Sequence, residues 1–197
     1  MRLLIIGHSY VTALWRTGIT RFVAAGINIE VSFVHRGGAD YNTYLTDRDL
    51  FDRIKRHNPD FVIVILAGNA IKGSNSNADI REQGKRFYTK LREIFPEGIV
   101  QIVAAQVEPR FYKPGNRWNC PLEDEYKKRK TGINTFLARL KLKDHLLMVG
   151  GPYRLDNRDL YGNDGVHLNQ QGLDKYWELI EKEVQFLITG PIVEESY

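Results

Sequence analysis

Apolar positions along the chain fall into two alternating rhythms. Short β-branched or aliphatic runs alternate with longer stretches in which apolar side chains recur every three or four positions. Residues 2–6 form the first run and end in Gly7, as a buried strand would. The pattern then predicts a helix over 11–25, with Leu14, Trp15, Ile19 and Phe22 on one face, a weak point at Thr17-Gly18 and a stop at Gly26. Residues 27–34 predict a second strand running into Arg36-Gly37-Gly38-Ala39-Asp40. A helix over 45–57 follows, capped by Thr46 and stopped by Asn58-Pro59. Residues 61–66 are the most hydrophobic stretch, predicting a strand buried on both faces that delivers Ala67-Gly68-Asn69 at its end.

After a polar loop over 74–79, a helix to about Ile94 presents Phe87, Leu91 and Ile94, and residues 99–105 predict a fourth strand. A loop over 106–119 holds Phe111, Tyr112 and Trp118. Pro121 suits the first turn of a helix reaching about Leu142. Residues 146–149 predict a fifth strand ending in Gly150-Gly151-Pro152. Asn169 then caps a last helix striped by Leu173, Tyr176, Trp177, Ile180, Val184 and Leu187. Such alternation implies an α/β fold, a parallel sheet with helices on both faces. In these folds ligands bind beyond the carboxyl ends of the strands, where every chemically suggestive residue of this chain falls.

Composition narrows the class. At 197 residues, 43% hydrophobic and 26% charged, the chain suits one globular domain over 1–189 with a frayed tail over 190–197. The apolar run near the start is too short for a signal peptide and no segment approaches spanning length, so a cytoplasmic setting is expected. Cys120 is the only cysteine, which excludes an intramolecular disulfide and a cysteine-based metal cluster. The other histidines, His8, His35, His57 and His145, show no ligand spacing, so neither metal nor cofactor is expected. A net charge of +4 leans mildly towards anionic partners. The densest basic run, Lys127-Lys128-Arg129-Lys130, follows Glu123-Asp124-Glu125 on one predicted helix, and reads as a solvated face.

Four pieces could cooperate chemically. Asp164-Gly165-Val166-His167 puts a carboxylate three residues before an imidazole, a spacing that lets the acid fix the ring's tautomer while the other nitrogen takes a proton. Ser9, where the first strand runs out, is a nucleophile in want of such a base, although a serine at a strand–helix junction is also favoured simply as an N-cap. Gly38 could offer a backbone N–H, and Asn69 a side-chain amide, to an oxyanion; both residue types also make ordinary turns. Gln106, Glu108, Arg110, Phe111, Tyr112 and Trp118 follow strand four and could wall a substrate pocket, Arg110 by meeting an anionic group, or simply pack a surface loop.

The sequence resembles the SGNH hydrolases, or GDSL-type esterases. Their blocks correspond here to Ile5-Ile6-Gly7-His8-Ser9-Tyr10, Gly37-Gly38, Leu66-Ala67-Gly68-Asn69 and Asp164-Gly165-Val166-His167. The resemblance implies a flavodoxin-like three-layer αβα sandwich with a five-stranded parallel sheet of order 2-1-3-4-5. It also implies an esterase with a Ser9–His167–Asp164 triad and an oxyanion hole of Ser9, Gly38 and Asn69. The substrate would be a small-molecule, lipid or sugar ester. The phrases IIGHSYV, QVEPRFY and DGVHLN further resemble SGNH domains of invertebrate animals, many of them retrotransposon-associated. That likeness, with the basic pI, supplies the competing reading of a nucleic-acid-binding module. His8 stands where the family usually has aspartate, and Ala70 where an aspartate commonly follows the asparagine.

Overall fold

A computed structural model describes residues 1–72, 74–116, 120–150 and 155–190. Trp118, Gly151-Pro152 and the tail beyond Gly190 lie outside the described residues. The strands are β1 (Arg2–Gly7), β2 (Arg21–Ala24), β3 (Ile27–His35), β4 (Phe61–Ile65), β5 (Gln101–Ala105) and β6 (His145–Leu147). The helices are α1 (Ser9–Arg16), α2 (Tyr41–Thr46), α3 (Arg48–Lys55), α4 (Asn77–Ile94), α5 (Glu123–Arg139) and α6 (Gln170–Thr189). Among the described residues they build one sheet of order β2-β3-β1-β4-β5-β6.

The sheet is parallel from β3 to β6, and β1 and β4 are buried along nearly their whole length because helices cover both faces. Alternation along each strand splits the core in two. Leu4, Ile6, Val62, Val64, Ile102 and Ala104 point towards α2, α3, α4 and α5. Leu3, Ile5, Ile63, Ile65 and Val103 point towards α1 and α6. The three-layer sandwich and its parallel strand order are those expected from the sequence.

The sheet has six strands rather than five, because the segment expected to be one helix over 11–25 divides. Helix α1 stops at Arg16, and Gly18 takes φ +77°. The chain then returns as β2, antiparallel to β3, with Ala24 opposite Ile27 across a two-residue turn. Ala25 and Gly26 have φ of +49° and +73°, the paired positive values of a hairpin turn whose twist matches its strands. Trp15 is therefore 52% exposed and stacks on His35, while Phe22 packs from β2 on Trp177 of α6.

The helix expected over 45–57 is also two. Asp47, not Thr46, is the cap: it closes α2 and accepts from the Asp49 N–H to start α3. Pro121 lies just ahead of α5, which begins at Glu123 and ends at Arg139, short of Leu142. Asn169 caps α6 as expected, accepting from Gly172 N–H at 3.0 Å. No described helix is long and apolar enough to cross a membrane.

Candidate active site

Ser9, Gly38, Asn69, Arg110 and His167 follow β1, β3, β4, β5 and β6 in turn, so the parallel sheet brings all five to its carboxyl edge. Ser9, Gly38, Asn69, Arg110, Tyr112 and His167 line one cleft of about 150 Å³ there. Lys72, Cys120 and Val166 complete its wall.

Ser9 opens α1 but does not cap it. His8 is the N-cap: its Nδ1 accepts from the Tyr10 N–H at 3.3 Å, which leaves the Ser9 hydroxyl uncommitted to the helix. The strand-to-helix turn is tight, since a Cβ on Gly7 would sit 2.1 Å from the Ile65 carbonyl oxygen. Because Nδ1 accepts, the proton of the neutral His8 ring is on Nε2. That nitrogen lies 3.2 Å from Glu108 Oε1, within ion-pair distance but off the line of a hydrogen bond. Complete burial pushes the His8 pKa down, against the opposing pull of the Glu108 charge.

Asn69 sits in a short 3-10 helix, Ala67–Ala70, immediately beyond β4. Its Nδ2 donates to the Ala39 carbonyl at 3.1 Å and its Oδ1 accepts from Arg110 Nη2 at 2.7 Å. Arg110 is 3% exposed and is committed to other side chains. It donates through Nε and Nη2 to Glu108 Oε1 and through Nη1 to the Tyr112 hydroxyl at 2.7 Å. Burial raises the Glu108 pKa, but the Arg110 charge and the His8 proton outweigh it and hold the carboxyl well below the usual range. Gly68 makes room for this pair: a Cβ there would lie 2.1 Å from Glu108 Oε1 and 2.8 Å from Arg110 Nη2.

Gly38 has φ +74°, a conformation glycine adopts without strain. Its turn is tied on one side by Asp40, which caps α2 through Thr43, and on the other by the Asn69 bond to Ala39. Asp40 also pairs with Lys72 at 3.3 Å.

Opposite stands the loop carrying Asp164 and His167. Asp164 Oδ2 accepts from His167 Nδ1 at 2.6 Å, while Oδ1 accepts the N–H groups of Val166 and His167, each at 2.9 Å. Partial burial pushes the Asp164 pKa up, but these bonds outweigh it and hold the acid below its ordinary value. An ionised carboxylate only accepts, so Nδ1 carries the proton and Nε2 is the basic nitrogen. Tyr10 OH donates to the Val166 carbonyl at 2.6 Å, joining this loop to the Ser9 turn. Phe111, expected to wall the pocket, instead backs the loop. Its N–H donates to the Gly165 carbonyl at 2.8 Å and its ring meets Tyr161 edge-on.

Sequence reasoning did not single out Lys72 or Cys120 as part of the cleft, and it named Glu108 as a candidate wall where the structure buries it behind Arg110. Lys72 carries a signal, standing three residues beyond Asn69; Cys120 carries none. Within the basic run of α5, Lys127 and Lys128 are exposed, Lys127 pairs with Glu123, and Arg129 donates to the carbonyls of Lys72 and Asn75 and to Asn77 Oδ1. Among the described residues no group of three or more His, Cys, Asp or Glu could hold a metal ion.

No family model matches the chain, and no curated protein matches it in sequence. Solved structures do match its fold. A carbohydrate esterase family 3 structure from Talaromyces cellulolyticus aligns with a TM-score of 0.66 at 14% identity, over 95% of this chain and 98% of that one. A GDSL-like lipase from Bacteroides thetaiotaomicron aligns at 0.64 and 13%, over 94% and 88%. A lipase/acylhydrolase from Enterococcus faecalis aligns at 0.61 and 16%, over 94% and 96%. The chain thus has the fold of GDSL-type lipases and esterases, the fold its sequence blocks imply.

Proposed function

We propose that the chain is a serine hydrolase that cleaves small esters, with Ser9 as nucleophile, His167 as general base and Asp164 as the acid that orients it. The observation that carries this reading is convergence. Ser9, Gly38, Asn69 and His167, drawn from four strand ends, line one cleft, and the His167 ring is held by an ionised Asp164 at 2.6 Å.

In this mechanism Ser9 Oγ attacks the ester carbonyl carbon as its proton passes to His167 Nε2. The carbonyl π electrons move onto oxygen, giving a tetrahedral oxyanion. The N–H groups of Ser9 and Gly38 and the Asn69 amide donate to it, and none of them must reorganise as charge develops. The intermediate collapses, the C–O bond to the alcohol breaks, and the departing alkoxide takes the proton from His167. A water then attacks the acyl-serine with His167 again as base, releasing the acid and restoring Ser9.

A cleft of about 150 Å³ favours a short acyl group such as acetyl, with the alcohol portion lying outside. The carbohydrate esterase and lipases that share the fold point to the same class of bond. A larger hollow of about 450 Å³ between α4 and α5, lined by Lys85, Thr89, Phe136 and Leu140 among others, brings no histidine or carboxylate to its wall and is not the site we favour. Kinship with retrotransposon-associated domains rests on the phrases IIGHSYV, QVEPRFY and DGVHLN, and nothing at the site favours the nucleic-acid reading.

The test is hydrolysis of 4-nitrophenyl acetate, butyrate and octanoate by the wild type, Ser9→Ala and His167→Ala, each checked for folding by circular dichroism. Acetate is expected to be preferred, with turnover lost in both variants. Turnover indifferent to Ser9, or none on any of the three esters, would sink the hydrolase reading.

A further inference from the structure

Arg110, Glu108 and His8 form a buried chain of opposite and complementary charge that begins beside the nucleophile and ends on Asn69. The geometry points to a positioning role: Arg110, held by Glu108 and backed by His8, sets the donor orientation of the Asn69 amide. The inference rests on the hydrolase reading for its kinetic consequence, but not for the geometry itself.

A carboxamide can present either its oxygen or its NH2 group to a given neighbour, and flipping it exchanges a donor for an acceptor. Arg110 Nη2 is only a donor, so the Asn69 oxygen must face it. The NH2 group must then face Ala39 O, which is only an acceptor, and one of its hydrogens is spent there. The other remains for the cleft. In the flipped amide two donors would meet at Arg110 and two acceptors at Ala39, and an oxygen lone pair would confront any oxyanion. Both neighbours reject that state, but only Arg110 brings a charge to the choice.

Arg110 could not hold this place alone. It is 3% exposed, and its Nε and Nη2 both converge on Glu108, itself 1% exposed. Its Nη1 is fixed by Tyr112, so four of the five guanidinium hydrogens have named acceptors and the plane cannot turn. The His8 Nε2–H, 3.2 Å from the same Glu108 oxygen, supplies a second positive dipole. His8 is also the cap of α1, so one side chain sets the helix that begins with Ser9 and braces the ion pair that aims Asn69. A residue that in sequence departs from the family's usual aspartate thus faces a carboxylate delivered from the loop after β5.

The test compares Arg110→Lys with wild type in two backgrounds. Lysine keeps the charge that Glu108 needs but cannot span Glu108, Tyr112 and Asn69 together. On the native background kcat for 4-nitrophenyl acetate is expected to fall about tenfold or more, with KM within about threefold, as for loss of a transition-state interaction. On the Asn69→Ala background the same change should cost nothing further, because the group it acts through is gone. A rise in KM with kcat unchanged, or an equal fall in both backgrounds, would overturn the proposal.

Should Arg110→Lys fail to fold, the paired Glu108→Leu/Arg110→Met change replaces both buried charges with apolar groups and leaves neither orphaned; the same two-background comparison applies. A wild type without esterase activity would defeat the hydrolase reading alone. The positioning would then be read from the Asn69 side-chain amide by NMR. Its proton bonded to Ala39 is expected to be protected from solvent exchange in the wild type and to lose that protection in folded Arg110→Lys. Unchanged protection would overturn the inference.

Discussion

Ser9 and Asn69 are held from beneath by side chains that scarcely meet solvent, whereas His167 is held from the side by a loop whose acid and base are 33% and 45% exposed. Behind the first pair lie His8, Glu108 and Arg110, charged or titratable groups whose cost of burial is met only because each has partners. Behind His167 stand an ionised carboxylate within the same four-residue turn and two backbone N–H groups. The side carrying Ser9 and Asn69, the nucleophile and oxyanion side of the proposed mechanism, is therefore part of the core, and the His167 side is an attachment to it. Damage to the first should be felt in stability and activity together, and damage to the second in activity alone.

The largest separation of the two should come from Asp164→Asn. The substitution keeps the size of the side chain but lets its amide donate to His167, favouring the wrong tautomer. Turnover should fall by about 10³–10⁴ with the melting temperature nearly unchanged; a melting temperature lowered as much as by a core change would break the contrast. Gly68→Ala is the complementary probe. Its Cβ would collide with Glu108 and Arg110, and an expected loss of about 3 kcal/mol or more of stability should accompany the loss of turnover, read by urea unfolding beside the ester assay.

Tyr10→Phe tests the side-chain hydrogen bond that ties the Ser9 turn to the His167 loop. It leaves the Val166 carbonyl without its buried donor and should cost about 1–2 kcal/mol, with a several-fold fall in kcat as the His167 loop loosens. An effect on stability with none on kcat would show the loop to be held elsewhere.

The smallest effect is in the pH dependence of stability. The folded pKa of His8 is below its ordinary value of 6.5, so below about pH 6.5 the unfolded chain takes up a proton that the folded chain does not. That part of the stability is present above pH 6.5 and lost as the pH falls. Glu108, also lowered, adds a second loss below about pH 4.5. His8→Asn should flatten the decline in melting temperature between pH 7 and 5. It should do so only in part, since His35 and His57, lowered chiefly by burial, titrate in the same sense. A wild type whose melting temperature does not fall over that range would contradict the buried neutral His8.

The contrast also explains what could be read in the sequence. Strand ends followed by Gly-His-Ser, Gly-Gly, Gly-Asn and Asp-Gly-Val-His are local signals, and the parallel sheet turns those local positions into one edge. The stripe of α6 and its Asn169 cap are equally local. Glu108 and Arg110 were legible only as candidate pocket walls, because charged residues after a strand read as loop; their burial as a pair depends on the distant His8, Gly68 and Asn69. The helix expected over 11–25 failed for a related reason. Leu14, Ile19 and Phe22 satisfy a helical spacing, and what ends the helix is the positive φ at Gly18, followed by the turn at Ala25-Gly26. Phe111 was singled out for its ring, yet its backbone N–H bond to Gly165 is what shapes the base loop.

The hairpin of β2 and β3 bears on how the chain reaches this structure. Among the described residues it is the only antiparallel pairing between named strands, and its partners lie within 15 residues of one another, whereas β1 must find β4 more than 50 residues away. Hairpins close in about 1–10 μs, and the entropic cost of closing a loop grows with its length. The hairpin should therefore be present before the sheet is. Strand β3 would arrive already straightened, one edge occupied and the other offered to β1. A strand at the sheet's margin would then be the first template on which the buried strands assemble.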